Sequence, residues 1–155
     1  GLVGSEMCIR DRYTYHIFGK GEEKANLLKL IEELDLQKCV FIEAFKKNIL
    51  EEAKNYRAFM LTSDYEGLSN SMIEAIAMGI PSICTDCPIG GARMIIEDGK
   101  NGFLVPVGDE KTLVQKMKKI TEIDTCVAVS EKAKKLKEQL DACVIAEQWC
   151  EVLFS

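Results

Sequence analysis

The chain contains 155 residues, of which 47% are hydrophobic and 29% charged, as is ordinary for a soluble globular domain. It carries 20 basic and 25 acidic side chains, and the resulting net charge of −5 disfavours a nucleic-acid-binding protein. No apolar run reaches the ~20 residues that a transmembrane helix requires, so an integral membrane protein is excluded as well.

The first residues, 1–12, read GLVGSEMCIRDR and look like a non-native tail. They lack the basic start, long apolar stretch and small-residue cleavage site of a signal peptide, and they resemble a translated sequencing adapter. We therefore expect a tail over 1–12 and a partial domain over 13–155, with the natural chain beginning near Tyr13 inside a longer protein.

From Tyr13 onward, short β-type runs alternate with segments of helical hydrophobic spacing. Strands are predicted at 15–18, 40–42, 58–61, 82–84 and 103–105, and helices at 22–34, 49–56, 70–78, 111–120, 127–140 and 142–154. Residues 85–91 are predicted to form a loop, and Asp109 is a plausible N-cap. Strands separated by helices favour parallel pairing through crossover connections. The sequence therefore predicts one α/β domain, a doubly wound parallel sheet of Rossmann-like type.

The seven cysteines are odd in number and lie mostly in apolar runs, which favours free thiols in a reducing cytoplasm. Cys84 and Cys87 form one C-x-x-C pair without two further ligands at zinc spacing, so we predict no metal site. Packing at a strand end and a redox pair stay open as interpretations of these two thiols.

The densest polar signal runs from Glu66 to Glu74, across a predicted strand-to-helix turn. Gly67 permits close approach of a ligand to the backbone, and Ser69 or Asn70 is placed to cap the helix. The first free amides of this helix would point outward with the positive end of its dipole, which suits a phosphate or diphosphate.

The two carboxylates flank this helix start, where they should be ionised and accept hydrogen bonds from sugar hydroxyls. The alternative is that Glu74 completes a capping box and that Glu66 is an exposed loop acid. Glu74 is the sole charge of an otherwise apolar helix, and this favours the functional interpretation.

Glu66 and Glu74 form an E-x7-E motif within the stretch SDYEGLSNSMIEAIAMGIPSICTD. In this stretch the sequence resembles the C-terminal, donor-binding domain of GT-B-fold, retaining glycosyltransferases of family 4. The stretches HIFGKGEE, VFIEAFKKN and GGARMIIEDGKNGFLVPVGD are also similar to that family, and the resemblance covers residues 13–154. It implies a bacterial, cytoplasmic enzyme, at the inner face of the membrane, in polysaccharide or glycolipid synthesis. Such an enzyme transfers a sugar from a nucleotide-diphosphate sugar, with UDP favoured, to an acceptor hydroxyl with retention of configuration.

The resemblance also implies a role for each site residue. Glu66 would be the catalytic residue, binding donor-sugar hydroxyls beside the anomeric centre, and Glu74 would bind the ribose hydroxyls. The other implied donor contacts are the backbone amides of Gly67, Leu68 and Ser69 at the sugar, those of Asn70, Ser71 and Met72 at the diphosphate, Gly19 and Gly21 near the phosphates, and Phe45 and Lys46 in the base pocket.

The resembled fold generally works without a metal or cofactor. The resemblance places the diphosphate-binding Arg and Lys, and the domain that binds an acceptor glycan or lipid-linked sugar, before residue 13. We therefore expect little or no transferase activity from this chain alone, and the alternative is a non-catalytic nucleotide-sugar binding module. A dinucleotide fold is disfavoured because Lys24 replaces the third glycine after Gly19 and Gly21. A glycosidase does not need a helix start suited to phosphate.

Overall fold

The computed structural model describes residues 13–44 and 49–154. The chain divides between residues 49 and 50 into two compact units. Each unit contains parallel strands joined by helices.

The first unit contains one strand-helix-strand unit. Strand β1 (Tyr15–Phe18) pairs in parallel with β2 (Val40–Glu43), and helix α1 (Lys24–Glu33) connects them. Parallel neighbours need such a crossover, because the chain must return to the starting edge before the second strand begins. These three elements were predicted from the hydrophobic spacing, and the structure confirms them.

The second unit contains a three-stranded parallel sheet in the order β3-β4-β5. The sheet follows the short helix α2 (Ile49–Ala53) in the chain. It consists of β3 (Phe59–Leu61), β4 (Ser82–Asp86) and β5 (Phe103–Pro106). Helix α3 (Asn70–Ala77) joins β3 to β4, and α4 (Gly91–Ile95) lies between β4 and β5. The carboxyl ends of all three strands therefore meet at one edge of the sheet.

Side chains alternate between the two faces of the sheet along each strand, so both faces carry apolar side chains. Helices cover both of these faces. On β4, Cys84 belongs to one buried cluster, with Met72 and Ile76 of α3, whereas Ile83 belongs to the other, with Phe103 of β5. The second cluster also includes Ile120 at the end of α5 (Glu110–Ile120). The predicted doubly wound α/β architecture is thus confirmed in this unit.

Two further helices complete the chain. Helix α6 (Ile123–Gln139) contributes Val129 to one cluster and Ala133 to the other, whereas α7 (Ala142–Phe154) has no buried residue. No helix in the described ranges has both the length and the apolarity needed to cross a membrane. Two expectations were wrong: α4 occupies part of the stretch after β4 for which no helix was predicted, and α6 begins at Ile123 rather than near residue 127.

Candidate functional site

Helix α3 begins at the carboxyl edge of the sheet, and the side chain of its N-cap residue, Ser69, accepts no hydrogen bond from the first amides of the helix. Ser69 has extended backbone angles, φ −73° and ψ 124°, and its carbonyl accepts the first helical bond, from the amide of Ile73 at 3.1 Å. Its hydroxyl pairs instead with the Ser71 hydroxyl at 3.0 Å. The predicted cap position is therefore right, but the expected capping hydrogen bond from Ser69 or Asn70 is not made.

The consequence is a helix start that presents bare amides. Within the described residues, the N–H groups of Asn70, Ser71 and Met72 have no hydrogen-bond partner. By contrast, helix α5 is capped, since Asp109 accepts from the amide of Thr112 at 3.0 Å and from its hydroxyl at 2.7 Å. The start of α3 thus combines free donors with the positive end of a helix dipole, an arrangement that attracts anions.

Glu74 lies on the outer face of α3, one turn after its start. Its side chain is exposed, as are Asn70 and Ser71, whereas Met72 is buried. Residues three and four apart share one face of a helix, so Glu74 lies on the same face as Asn70 and Ser71. The capping-box alternative fails, because the box needs the carboxylate at the third helical position, which Met72 occupies.

Glu66 lies in the loop that follows β3 and is half-buried. One of its carboxylate oxygens, Oε2, accepts a hydrogen bond from the Ser63 hydroxyl at 3.3 Å. The next two residues bring backbone to the surface, since Gly67 is half-buried and Leu68 is 51% exposed. Glu66, Gly67 and Leu68 were predicted to belong to the site, whereas Ser63 was not, although its position three residues before Glu66 is a usable local signal.

The start of α4 packs tightly against this loop through Gly91. Gly90 adopts a left-handed conformation with φ 81°, and Gly91 is buried beneath the Gly67 backbone. A Cβ atom on Gly91 would lie 2.0 Å from the Gly67 carbonyl oxygen and 2.8 Å from the Leu68 nitrogen. Only glycine permits this approach, which determines the position of the backbone beside Glu66.

Two buried side chains near the end of β4 also contact the β3 loop. The Thr85 hydroxyl and the Cys87 thiol both donate to the Ser63 carbonyl, at 2.5 Å and 3.1 Å. Cys84 and Cys87 are free thiols, and the pKa of Cys84 is raised to about 12, first by burial and then by the neighbouring Cys87. A thiol so rarely ionised is a poor nucleophile, so the structure favours packing over a redox pair.

An ion pair borders the same edge. The Arg93 Nε atom on α4 donates to the Asp86 carboxylate at 2.6 Å. This hydrogen bond, and then the negative charge of Asp86, raise the pKa of Arg93 above its ordinary value. A guanidinium anchored through Nε keeps its outer nitrogens available to solvent or an anion.

The remaining predicted residues either belong to the first unit or lie outside the described residues. Gly19 and Gly21 occupy the exposed loop after β1, in the first unit, and a Cβ atom on either would meet nothing within 4 Å. Their predicted role at the phosphates stays a prediction. Phe45 and Lys46 lie outside the described residues.

A separate groove of about 620 Å³ lies at the opposite, amino-terminal edge of the sheet. None of the predicted site residues lines it, and ligands of open α/β sheets bind at the carboxyl edge. No group of three or more His, Cys, Asp or Glu side chains placed to hold a metal ion occurs in the described part of the chain.

The chain matches a known protein family over most of its length. The model of the family "Glycosyl transferases group 1" matches residues 6–140. The chain belongs to this family. Because the match begins at residue 6, within the stretch read as a tail, the boundary at Tyr13 stays a prediction.

Relatives of this group 1 domain include two bacterial glycosyltransferases. It is 35% identical over 131 residues to the N-acetylgalactosamine-N,N'-diacetylbacillosaminyl-diphospho-undecaprenol 4-alpha-N-acetylgalactosaminyltransferase of Campylobacter jejuni, covering 84% of this chain and 36% of the relative. It is 28% identical over 137 residues to the poly(ribitol-phosphate) alpha-N-acetylglucosaminyltransferase of Staphylococcus aureus, covering 87% of this chain and 28% of that protein. The chain thus spans about a third of the length of these relatives.

A solved structure supports the fold assignment. A mutant of S. aureus TarM, in complex with Fondaparinux, alpha-GlcNAc-glycerol and UDP, matches with a TM-score of 0.80 and 27% identity, over 92% of this chain and 29% of that chain. The fold is therefore that of a GT-B glycosyltransferase domain, as the resemblance implied.

Proposed function

We propose that this group 1 domain binds the donor of a retaining glycosyltransferase of family 4, a nucleotide-diphosphate sugar. The observation that carries the proposal is the start of α3, where three amides without a partner in the described structure lie between Glu66 and Glu74. A doubly charged diphosphate is the anion that such a terminus suits, and it needs no metal or cofactor there. The relative of known structure was crystallised with UDP, which supports a uridine donor.

The two carboxylates have different roles in this proposal. Glu74 shares a helix face with two of the bare amides, Asn70 and Ser71, so a ribose attached to a diphosphate at those amides lies within reach of its oxygens. Glu66 is held in the loop after β3 and accepts hydroxyls of the donor sugar, with the Gly67, Leu68 and Ser69 amides beside it. A carboxylate binds hydroxyls strongly because such hydrogen bonds are charge-assisted.

The reaction that follows is transfer of the sugar to an acceptor hydroxyl with retention. The bond between the anomeric carbon and the diphosphate oxygen breaks, and its electron pair leaves with the diphosphate. The acceptor oxygen bonds to the anomeric carbon, and its proton passes to the diphosphate oxygen that has left. The amides at α3 stabilise the charge that develops on the diphosphate, and Glu66 orients a sugar that becomes positively charged. The acceptor proposed is a glycan or a lipid-linked sugar, and the name of the C. jejuni relative, which contains a sugar on diphospho-undecaprenol, supports the second. Retention predicts that an α-linked donor gives an α-linked product, read from the anomeric proton coupling.

Calorimetric titration of the chain with UDP tests the binding proposal. We expect Glu74→Ala to weaken UDP binding by about tenfold or more, since a charge-assisted hydrogen bond contributes ~1.5–3 kcal/mol. The matched control is Glu138→Ala, which removes an exposed glutamate from α6 and should bind UDP as the wild-type chain does. Equal affinities of wild type and Glu74→Ala for UDP would refute the central assignment, and a glycosidase would bind no UDP at all.

A further inference from the structure

Ser63 connects the loop after β3 to the neighbouring strand β4 through two different groups. Its hydroxyl donates to Glu66 Oε2 at 3.3 Å, and its carbonyl accepts from both Thr85 and Cys87. The two donors are buried, with exposures of 9% and 2%, and they come from β4 and the residue that follows it. A short network therefore runs from the end of β4, through the Ser63 backbone, to the carboxylate of Glu66.

The network holds Glu66 at a defined place. The Ser63 carbonyl accepts two hydrogen bonds from packed side chains, and it cannot shift without losing both. The backbone of Ser63, and with it the position of its hydroxyl, is therefore restrained. The contact of Gly91 with the Gly67 backbone restrains the loop on the other side of Glu66. The glutamate is thus restrained on both sides.

The network also leaves the carboxylate able to bind. Oε2 of Glu66 accepts from Ser63, while Oε1 has no hydrogen-bond partner among the described residues. An ionised carboxylate has about four acceptor sites, so several stay available for sugar hydroxyls. A side chain already held in its binding orientation loses less rotational freedom when the ligand arrives, and this strengthens binding.

We propose that Ser63 is a positioning residue that orients Glu66 for the hydroxyls of the donor sugar, and that Thr85 and Cys87 hold Ser63 in place. The inference rests on the proposed function, because it assigns the sugar to Glu66 and the nucleotide diphosphate to the start of α3. Its distinctive consequence is selectivity. Loss of the Ser63 hydroxyl weakens binding of the sugar part of the donor and leaves binding of the nucleotide diphosphate unchanged.

The test compares UDP with UDP-glucose and UDP-N-acetylglucosamine by calorimetry on the chain and its variants. We expect Ser63→Ala to weaken binding of the better of the two UDP-sugars by about three- to tenfold, the size of a typical net hydrogen-bond contribution, and to change UDP affinity by less than about twofold. Ser63→Thr keeps the hydroxyl and should restore sugar binding. Ser82→Ala, which removes a buried hydroxyl at the other end of β4, is the control and should change neither affinity.

A double-mutant cycle with Glu66→Gln separates positioning from a general structural effect. If Ser63 acts through the carboxylate, Ser63→Ala adds no further loss once Glu66→Gln is present. Should Ser63→Ala fail to fold, judged by circular dichroism, Thr85→Val takes its place, because it removes one donor to the Ser63 carbonyl and should cause the same sugar-selective loss.

The outcomes distinguish this inference from the proposed function. Equal losses for UDP and the UDP-sugars in Ser63→Ala, or no loss for either, would overturn the positioning role while leaving the nucleotide site intact. A wild-type chain that binds UDP but neither UDP-sugar more tightly would overturn the assignment of the sugar to Glu66, and this inference with it. A wild-type chain that binds none of the three ligands would overturn the proposed function itself.

Discussion

Gly91→Ala is the most direct test of how the two loops at the sheet edge are packed. The added Cβ would lie 2.0 Å from the carbonyl oxygen and 2.4 Å from the carbonyl carbon of Gly67. Optimal contacts between carbon atoms are about 3.5–4.0 Å, so the loops must separate by more than 1 Å or so to accept the methyl group. The atoms that must move are backbone atoms, which cannot change rotamer as a flexible side chain can.

The magnitude follows from the cost of overpacking. Forcing extra carbon into a packed site costs ~1–3 kcal/mol, and occasionally more, and a rigid backbone neighbour places Gly91→Ala at the upper end, ~3 kcal/mol. In a chain of this length each kcal/mol lowers the melting temperature by roughly 2–4 °C, so we expect a decrease of about 6–12 °C. The displaced amides of Gly67 and Leu68 should also weaken binding of UDP-sugars.

The assay is urea unfolding followed by circular dichroism, with Gly99→Ala as the matched control. Gly99 has φ 75° but a Cβ atom there would meet nothing within 4 Å, so its substitution costs only the left-handed backbone strain, ~1–2 kcal/mol. Gly91→Ala should therefore be the more destabilised of the two variants. Equal free energies of unfolding, or a Gly91→Ala chain as stable as wild type, would refute the tight packing of these loops.

Two further predictions concern titratable groups. Burial raises the pKa of Asp98, but hydrogen bonds from Lys116 and the Leu104 amide outweigh burial and hold the pKa below the ordinary 3.8. The ionised carboxylate therefore stabilises the folded chain fully above that pH, and this contribution is lost as the pH falls below it. The urea midpoint of the wild-type chain should thus decrease between about pH 6 and pH 3 by more than that of Asp98→Asn, and parallel decreases would contradict this. Cys84, with its pKa raised to about 12, should resist iodoacetamide in the native chain at about pH 8, while exposed Cys150 reacts, and equal labelling in mass spectra would contradict its burial.

Local sequence signals predicted the elements of this chain well because they depend on neighbouring residues. Short β-type runs placed the strands that occur in residues 13–44 and 49–154, and Asp109 was recognised as the cap of α5. The misses have local causes too. Helix α4 is short and its N-cap and first residue are both glycines, Gly90 and Gly91, which are typical of a loop. The Ser69 hydroxyl bonds to that of Ser71 instead of capping α3.

The candidate site was predictable only in part. The spacing from Glu66 to Glu74 around a helix start is a local pattern, and the structure places Glu66 in the loop after β3 and Glu74 on α3, while their roles at a ligand stay predictions. Ser63 was missed because its role depends on Thr85, which is 22 residues away. Which hydroxyl meets which carbonyl depends on the register of β3 against β4, and no periodicity in the sequence encodes that partner.

By itself, the sequence determined the alternation of strands and helices and the position at which α3 begins, because these follow from the order of polar and apolar residues along the chain. Only the tertiary structure decided that Gly91 packs beneath Gly67 and that the end of β4 holds Ser63. Those contacts join segments distant in sequence, and they exist only once parallel pairing and close packing have brought the two loops to the same edge of the sheet.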